Sequence, residues 1–288
     1  MSIHLYKSAW GLVGAGCRYL SLSSFVASAH EEHYRGVEFP VFLLDNEPDG
    51  PDHAADALTE QLADLDLRYI ALIATRPESW GDYDQHLASF RSQCRQAAQL
   101  GARKASVHAG ADSFGIERGQ RFLAECASIA NDHGVSPCFE THRARILYNP
   151  FTCATLLERM PELALTSDLS HWLLVVDRMP HDIMDLFDLA SARTQHLHAR
   201  VGHEKSPQVT EPADPAWTEH VALYRRWWQI SVDARAAAGD VLSVSPEFGP
   251  PPYMHAEPFT GEPSADIAAV NRWMREQLDD WFNGETPQ

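Results

Sequence analysis

The chain has 288 residues, of which 44% are hydrophobic and 22% charged, with 16 Gly and 18 Pro. That composition excludes a disordered, collagen-like or low-complexity protein. Acidic residues outnumber Lys plus Arg by 40 to 23, a formal net charge of −17. A field of that sign repels phosphate backbones and anionic lipid, so neither nucleic acid nor a membrane surface is expected as a partner. The 15 His residues are the oddity, because His is the commonest metal ligand and the natural proton carrier near neutral pH. Cys17, Cys94, Cys126, Cys138 and Cys153 are scattered and include no C-x-x-C. They read as buried thiols in a reducing compartment. No apolar run approaches the roughly 18 residues of a membrane span. Ala9–Cys17 is apolar, but Trp10 and the glycines at 11, 14 and 16 make a poor signal-peptide core. A cytoplasmic location is expected.

In chain order, short β-branched or apolar runs alternate with longer segments of helical period, the pattern of βα units around parallel strands. The strands are expected at His4–Leu12, Val37–Leu43, Tyr69–Thr75, Ala105–Ala109, Pro137–Thr141, Leu163–Leu169, Thr194–Ala199 and Leu242–Phe248. Helices are expected at Ser21–Tyr34, His53–Asp66, Tyr83–Leu100, Ile116–His133, Phe151–Arg159, His181–Ala192, Trp217–Ala238 and Ser264–Phe282. Apolar stripes such as Leu58, Leu62 and Leu65, or Phe90, Cys94 and Ala97, mark their inner faces, and Gly101, Gly134 and Gly239 mark helix ends. Eight strands alternating with eight helices is the count of a (β/α)8 TIM barrel, here a single domain over residues 1–288. A doubly wound sheet is the alternative. It would want a phosphate-binding glycine turn, and Gly14-Ala15-Gly16 lacks the third glycine.

In such a barrel, chemistry sits at the C-terminal ends of the strands and on the loops that follow. Val201–Pro215 and Gly249–Pro263 are the longest of these loops. The fourth strand ends at His108, the fifth at Glu140, the sixth at Asp168 with His171 three residues on, and the eighth at Glu247. The seventh carries His196 and His198, two apart and therefore on one face. Glu38 lies on the second strand. Taken singly, an acidic residue at a strand end is more often a helix cap or a loop salt bridge, and His196 reads as a packed histidine. Taken together, like charges converging on one axis would repel by several kcal/mol unless something positive sat between them. A divalent cation resolves this. Two Glu, one Asp and one His without thiolate favour Mn²⁺, Mg²⁺, Co²⁺ or Fe²⁺ over a structural zinc.

Phe139-Glu140-Thr141-His142-Arg143, Ser167-Asp168-Leu169-Ser170-His171-Trp172, His196-Leu197-His198 and Pro246-Glu247-Phe248, with Gly36-Val37-Glu38-Phe39 earlier, resemble the xylose-isomerase-like TIM-barrel superfamily of sugar phosphate isomerases and epimerases. The resemblance covers essentially the whole chain. It implies one divalent ion, Mn²⁺ foremost with Mg²⁺, Co²⁺, Fe²⁺ or Zn²⁺ as alternatives, held by Glu140, Asp168, His198 and Glu247. It implies that Glu140 and Glu247 form the acid/base pair and that His171 contacts a substrate hydroxyl. Ketose 3-epimerases of that superfamily carry Gly-Glu-x-Asn-Arg after the seventh-strand His, where this chain has Ala199-Arg200-Val201-Gly202-His203-Glu204-Lys205. Arg200, His203 and Lys205 are the candidates to replace the missing substrate-gripping Arg.

A metal on a carbonyl and its neighbouring hydroxyl stabilises a developing oxyanion by several kcal/mol. The expected function is therefore a sugar isomerase or epimerase acting on a ketose or keto-sugar through an enediolate. The alternative is a lyase working by β-elimination or hydration on 3-keto-glycosides. Two further readings are a metal-dependent phosphodiesterase, which the absence of a basic stripe disfavours, and a barrel that only binds carbohydrate. His108, Arg143, Trp172 and Arg200 are expected to contact substrate beside His171, with Arg145 and Tyr148 nearby; Arg143 or Arg145 could equally balance the acidic mouth as an ion pair. The partner is a small sugar, preferably unphosphorylated because no phosphate-binding turn is present, and self-association into a homo-oligomer is compatible with the sequence.

Overall fold

The computed structural model describes residues 2–47 and 50–284. Strands β1 (Ile3–Ser8), β2 (Gly36–Pro40), β3 (Arg68–Ala74), β4 (Lys104–His108), β5 (Ser136–Glu140), β6 (Leu165–Ser167), β7 (Thr194–Ala199) and β8 (Leu242–Pro246) follow one another around a closed barrel. Every pairing is parallel, and β1 closes the ring against β8 with Ile3 opposite Leu242. The connecting helices are α1 (Leu22–Glu31), α2 (Pro51–Asp64), α3 (Tyr83–Gln99), α4 (Gly115–Asp132), α5 (Pro150–Arg159), α6 (Ser170–Val176), α7 (Met184–Ala192), α8 (Thr218–Ala237) and α9 (Ile267–Phe282). No helix among the described residues is long and apolar enough to cross a membrane.

The expected elements are all present, with two differences. Strand one stops at Ser8, strand two at Pro40 where the turn Val41–Asn46 takes over, strand eight at Pro246, and strand six spans three residues, because their continuations pack as loop or helix. The second difference is α6, absent from the expectation. Its Ser-His-Trp-Leu-Leu-Val-Val run has no helical stripe; at its start Asp168 accepts the N–H of Ser170 at 3.1 Å. Past the ends of α3 and α4, Gly101 and Gly134 take positive φ, as their positions require.

Most of the apolar core lies between the barrel wall and the helix ring: Phe25, Phe90, Phe122, Phe187, Tyr224, Trp227 and Trp228 are essentially inaccessible. Trp172 belongs there too. It is fully buried, edge-on to Phe187, and its Nε1 donates to the Leu147 carbonyl at 2.8 Å. The expectation that Trp172 faces substrate is therefore corrected, since α6 turns the ring outward from the barrel axis into the helix layer.

The barrel interior is polar where branched aliphatics usually fill it. Lys104 enters at the floor and donates to the Gln195 carbonyl at 2.8 Å and to Ser243 Oγ at 3.1 Å. Above it, His196 Nδ1 meets Ser243 Oγ at 2.9 Å and Nε2 meets Glu38 at 3.1 Å. The other Glu38 oxygen meets His198 Nε2 at 2.9 Å. Glu38, His196 and His198 are all buried. Burial would raise the Glu38 carboxyl, but His198 and His196 outweigh it and hold it well below the usual range.

Two stability predictions follow from these two layers. Trp172→Ala should lower unfolding free energy by about 3–5 kcal/mol, as expected for emptying a buried aromatic site. Glu38→Gln should cost about 3–5 kcal/mol by breaking a buried charged pair. Urea titration of each variant measures both losses, and an unchanged midpoint for Glu38→Gln would show that the interior does not depend on the carboxylate.

Candidate metal centre and active site

The network below the mouth decides what the mouth presents. Glu38 fixes the His198 ring through Nε2, so Nδ1 points at the strand ends. There it lies 3.0 Å from Glu247 Oε2 and 3.5 Å from Glu140 Oε2, with no hydrogen-bond partner. Burial would lower the His198 pKa, yet Glu247, Glu38 and Glu140 raise it well above its ordinary value. The surroundings thus demand positive charge at this nitrogen. A carboxylate–histidine–metal relay meets the same demand with a cation in place of the proton.

Glu140 ends β5 fully inside the mouth, where its Oε2 is 2.5 Å from His108 Nε2 and 3.4 Å from Ser106 Oγ. Burial pushes its carboxyl up, but His108 and His198 outweigh that and keep it well below the usual carboxylate range. Asp168 follows β6. Its Oδ1 accepts from Ser170, and its Oδ2 pairs with Arg200 Nη2. Ligand atoms of Asp168, His198 and Glu247 lie within 4.8 Å of one another, and so do those of Glu140, Asp168 and His171. The four residues expected to hold a metal are therefore brought together. Oxygen and imidazole donors around an orphaned buried nitrogen fit a divalent ion.

A third cluster within the same 4.8 Å limit is His108, Glu140 and His142. His142 donates through Nδ1 to the Arg143 carbonyl at 2.5 Å, which leaves Nε2 on the mouth side. Burial and the neighbouring His108 hold His142 neutral, well below the ordinary histidine value. It sits two residues beyond Glu140, and that spacing was its only sequence signal.

Above these groups opens a cavity of about 320 Å³ lined by Trp10, Phe42, Leu72, Arg76, His108, Glu140, His142, Arg145, Arg200, Glu247 and Tyr253, among others. Of the expected substrate contacts, His108 and Arg200 line it. Arg200 is buried against Trp10 and Tyr253, each ring centroid 5.0 Å away, and donates to the Glu247 carbonyl at 3.2 Å. Burial would pull the guanidinium down, but Asp168 and Glu247 more than offset it and keep it charged. His203 instead packs on Trp217, and Lys205 pairs with Asp177 on the surface. Neither replaces the missing Arg.

Two other expected contacts sit back from the cavity. His171 is fully buried behind Asp168, its Nε2 3.6 Å from that carboxylate and 3.1 Å from Arg200 Nη2. Arg143 stacks on Tyr253 at 4.7 Å. Trp10 and Tyr253, edge to face at 4.7 Å, supply the aromatic surface that Trp172 was expected to give. Tyr253 lies on the loop after β8, where no periodicity announces it. That loop is held down by side chains whose role the sequence does not reveal. Asn271 brackets Phe248 with bonds of 2.8 and 2.9 Å, and Gln208 brackets Gly249 with bonds of 2.8 and 3.0 Å. Position 249 must be glycine because a Cβ there would meet the Trp10 ring at 2.2 Å.

No curated protein matches the sequence. Solved structures share the fold at low identity. D-psicose 3-epimerase with D-tagatose from Clostridium cellulolyticum H10 aligns with TM-score 0.66 and 14% identity over 96% of this chain and 97% of that one. The probable 3-DHS dehydratase AsbF of petrobactin synthesis from Bacillus anthracis gives TM-score 0.66 and 15% identity over 96% and 98%. The IOLI protein with a binding zinc atom gives 0.67 and 12% over 99% and 100%. A family model, xylose isomerase-like TIM barrel, matches residues 26–213. With the closed eight-stranded barrel and its strand-end carboxylates, that match makes the chain a member of the xylose isomerase-like TIM barrel family.

Proposed function

We propose that the protein is a divalent-metal-dependent enzyme that isomerises or epimerises a ketose or keto-sugar through an enediolate. The observation that carries this is His198 Nδ1, buried, unpartnered, and facing the carboxylates of Glu247 and Glu140 at 3.0 and 3.5 Å. Glu140, Asp168, His198 and Glu247 would hold the ion, with Mn²⁺ the first candidate. When bound, it supplies a Lewis acid that stabilises negative charge on a substrate oxygen. One fold neighbour carries a zinc atom, which is compatible with this reading.

Glu140 and Glu247 both line the cavity, so each reaches the space where a C–H next to a carbonyl would lie. Glu140, held ionised by His108 and His198, is suited to take a proton. A second carboxylate returning one to the opposite face gives an epimer, and return to the adjacent carbon gives an isomer. His108 donates to Glu140, which keeps the carboxylate oriented toward the cavity. Arg200 and the Trp10–Tyr253 corner cover the other side and limit access of water.

A lyase reaction is the second reading. His142 favours it, being a neutral imidazole beside Glu140 whose free Nε2 could take the C–H proton and pass that proton on to a leaving hydroxyl or glycosidic oxygen. The dehydratase among the fold neighbours is compatible with it.

Incubation with Mn²⁺ and a panel of ketoses and keto-glycosides in D₂O, followed by proton NMR, separates these reactions by which C–H exchanges and which product forms. Glu247→Gln should keep the fold and lower turnover by at least about 10²-fold. Wild-type rates in that variant would remove Glu247 from the mechanism. Absence of any tightly held divalent ion, together with no thermal shift on adding Mn²⁺, would sink the metal-enzyme reading.

A further inference from the structure

Each carboxylate of the mouth has a basic side chain beside it. Glu140 meets His108, Asp168 meets Arg200, and Glu247 meets His198. Two guanidinium groups on the wall beyond β3 and β5 have no such partner. Arg145 is 92% buried by its 8% exposure, and Nη1 donates only to neutral oxygens: the Thr75 carbonyl and Oγ1 at 3.0 Å each and the Gly110 carbonyl at 3.2 Å. Its Nε and Nη2 have no protein acceptor among the described residues. The plane is held against the Trp80 ring at 4.5 Å. Arg76 lies over the face of Phe42 at 3.8 Å, also without a carboxylate partner among the described residues. Both side chains line the cavity that Glu140 and Glu247 line.

A guanidinium buried without an anion is costly, and the Nε–Nη2 edge of Arg matches an oxyanion bidentately. Burial, against the pull of Glu140 and with repulsion from Arg76, lowers the Arg145 pKa to about 10. We propose that Arg145 and Arg76 form an oxyanion subsite that holds a carboxylate or phosphate group carried by the sugar substrate. This rests on the reading of the mouth as the active site and narrows it: the substrate is an acidic sugar, not a neutral one. The subsite adjoins Glu140, so an anchored anion places the remainder of the sugar over the carboxylates. Aromatic faces under both guanidinium groups keep them planar and oriented before substrate arrives.

Calorimetric titration of the protein, metal-depleted by dialysis and separately loaded with Mg²⁺, with inorganic phosphate and with malonate tests this. Saturable binding of one anion per chain is expected in both metal states, and the tighter of the two arms identifies phosphate or carboxylate. Arg76→Gln, an exposed position that leaves folding intact, should weaken binding about 3–10-fold. Arg145→Gln should weaken it at least about 10-fold, the worth of a charge-assisted bidentate pair. Arg145→Lys keeps the charge without the fork and should recover only part of that loss, which guards against a merely unfolded Arg145→Gln. Absence of saturable anion binding, or binding that Arg76→Gln and Arg145→Lys both leave unchanged, would overturn the proposal. Anion binding without sugar turnover would retain the subsite and count against the isomerase reading; turnover without anion binding would do the reverse.

Discussion

The carboxylate of Glu38, buried between two imidazoles at 3.1 and 2.9 Å, is the contact on which the mouth of the barrel depends. It joins β2 to β7 across the interior, and its second oxygen sets the ring orientation of His198. A buried carboxylate alone would cost several kcal/mol. Two imidazole donors satisfy it, and through it the barrel's polar interior becomes a rigid support for the groups above. Without that support, His198 would be free to turn its Nδ1 away from Glu140 and Glu247, and the four strand ends would not share a focus. The aliphatic layers of an ordinary barrel core could not do this, because they carry no direction.

Much of this was legible in the chain. Strict alternation of strand and helix gave the barrel, since a βα repeat has few ways to bury both faces of a parallel strand. Placing Glu140, Asp168, His198 and Glu247 on one axis needed only the strand ends, because the fold itself makes those ends converge. What escaped was whatever depended on side-chain direction after a strand had ended. Trp172 follows Asp168 closely enough to suggest a pocket residue, yet the short helix that starts at Ser170 turns it into the core. Tyr253 arrives on a loop shaped by Pro, Gly and the anchors Gln208 and Asn271, none of which leaves a periodic trace. Arg200 was visible as a charged residue beside His198, but its pairing with Asp168 is a tertiary fact.

Overall charge and local surroundings point different ways on one matter. A net charge of −17 argued for a neutral substrate, and over long distances that field does repel anions. Within the cavity the balance is local. Each mouth carboxylate has a histidine or arginine beside it, while Arg76 and Arg145 remain over aromatic rings with only neutral oxygen partners or none. Interactions beyond about 8 Å are screened at physiological ionic strength, so the wall of a partly buried pocket, not the total, decides what it accepts. The acidic surface would then slow the approach of an anionic substrate and leave its selection to the pocket.

Lys104 at the barrel floor has a consequence for the direction of the protons above it. An ammonium group only donates, so Ser243 Oγ must accept from it. The single hydroxyl proton of Ser243 has two acceptors within reach, the Gln195 carbonyl at 3.2 Å and His196 Nδ1 at 2.9 Å. With His196 neutral, its own proton sits on Nε2 and faces Glu38. Glu38 accepts from both rings, which keeps a His198 proton on Nε2 and leaves Nδ1 as the position where a metal would replace the second proton. The ring orientation that a metal ligand needs at the mouth is set by Glu38, one layer beneath the strand ends.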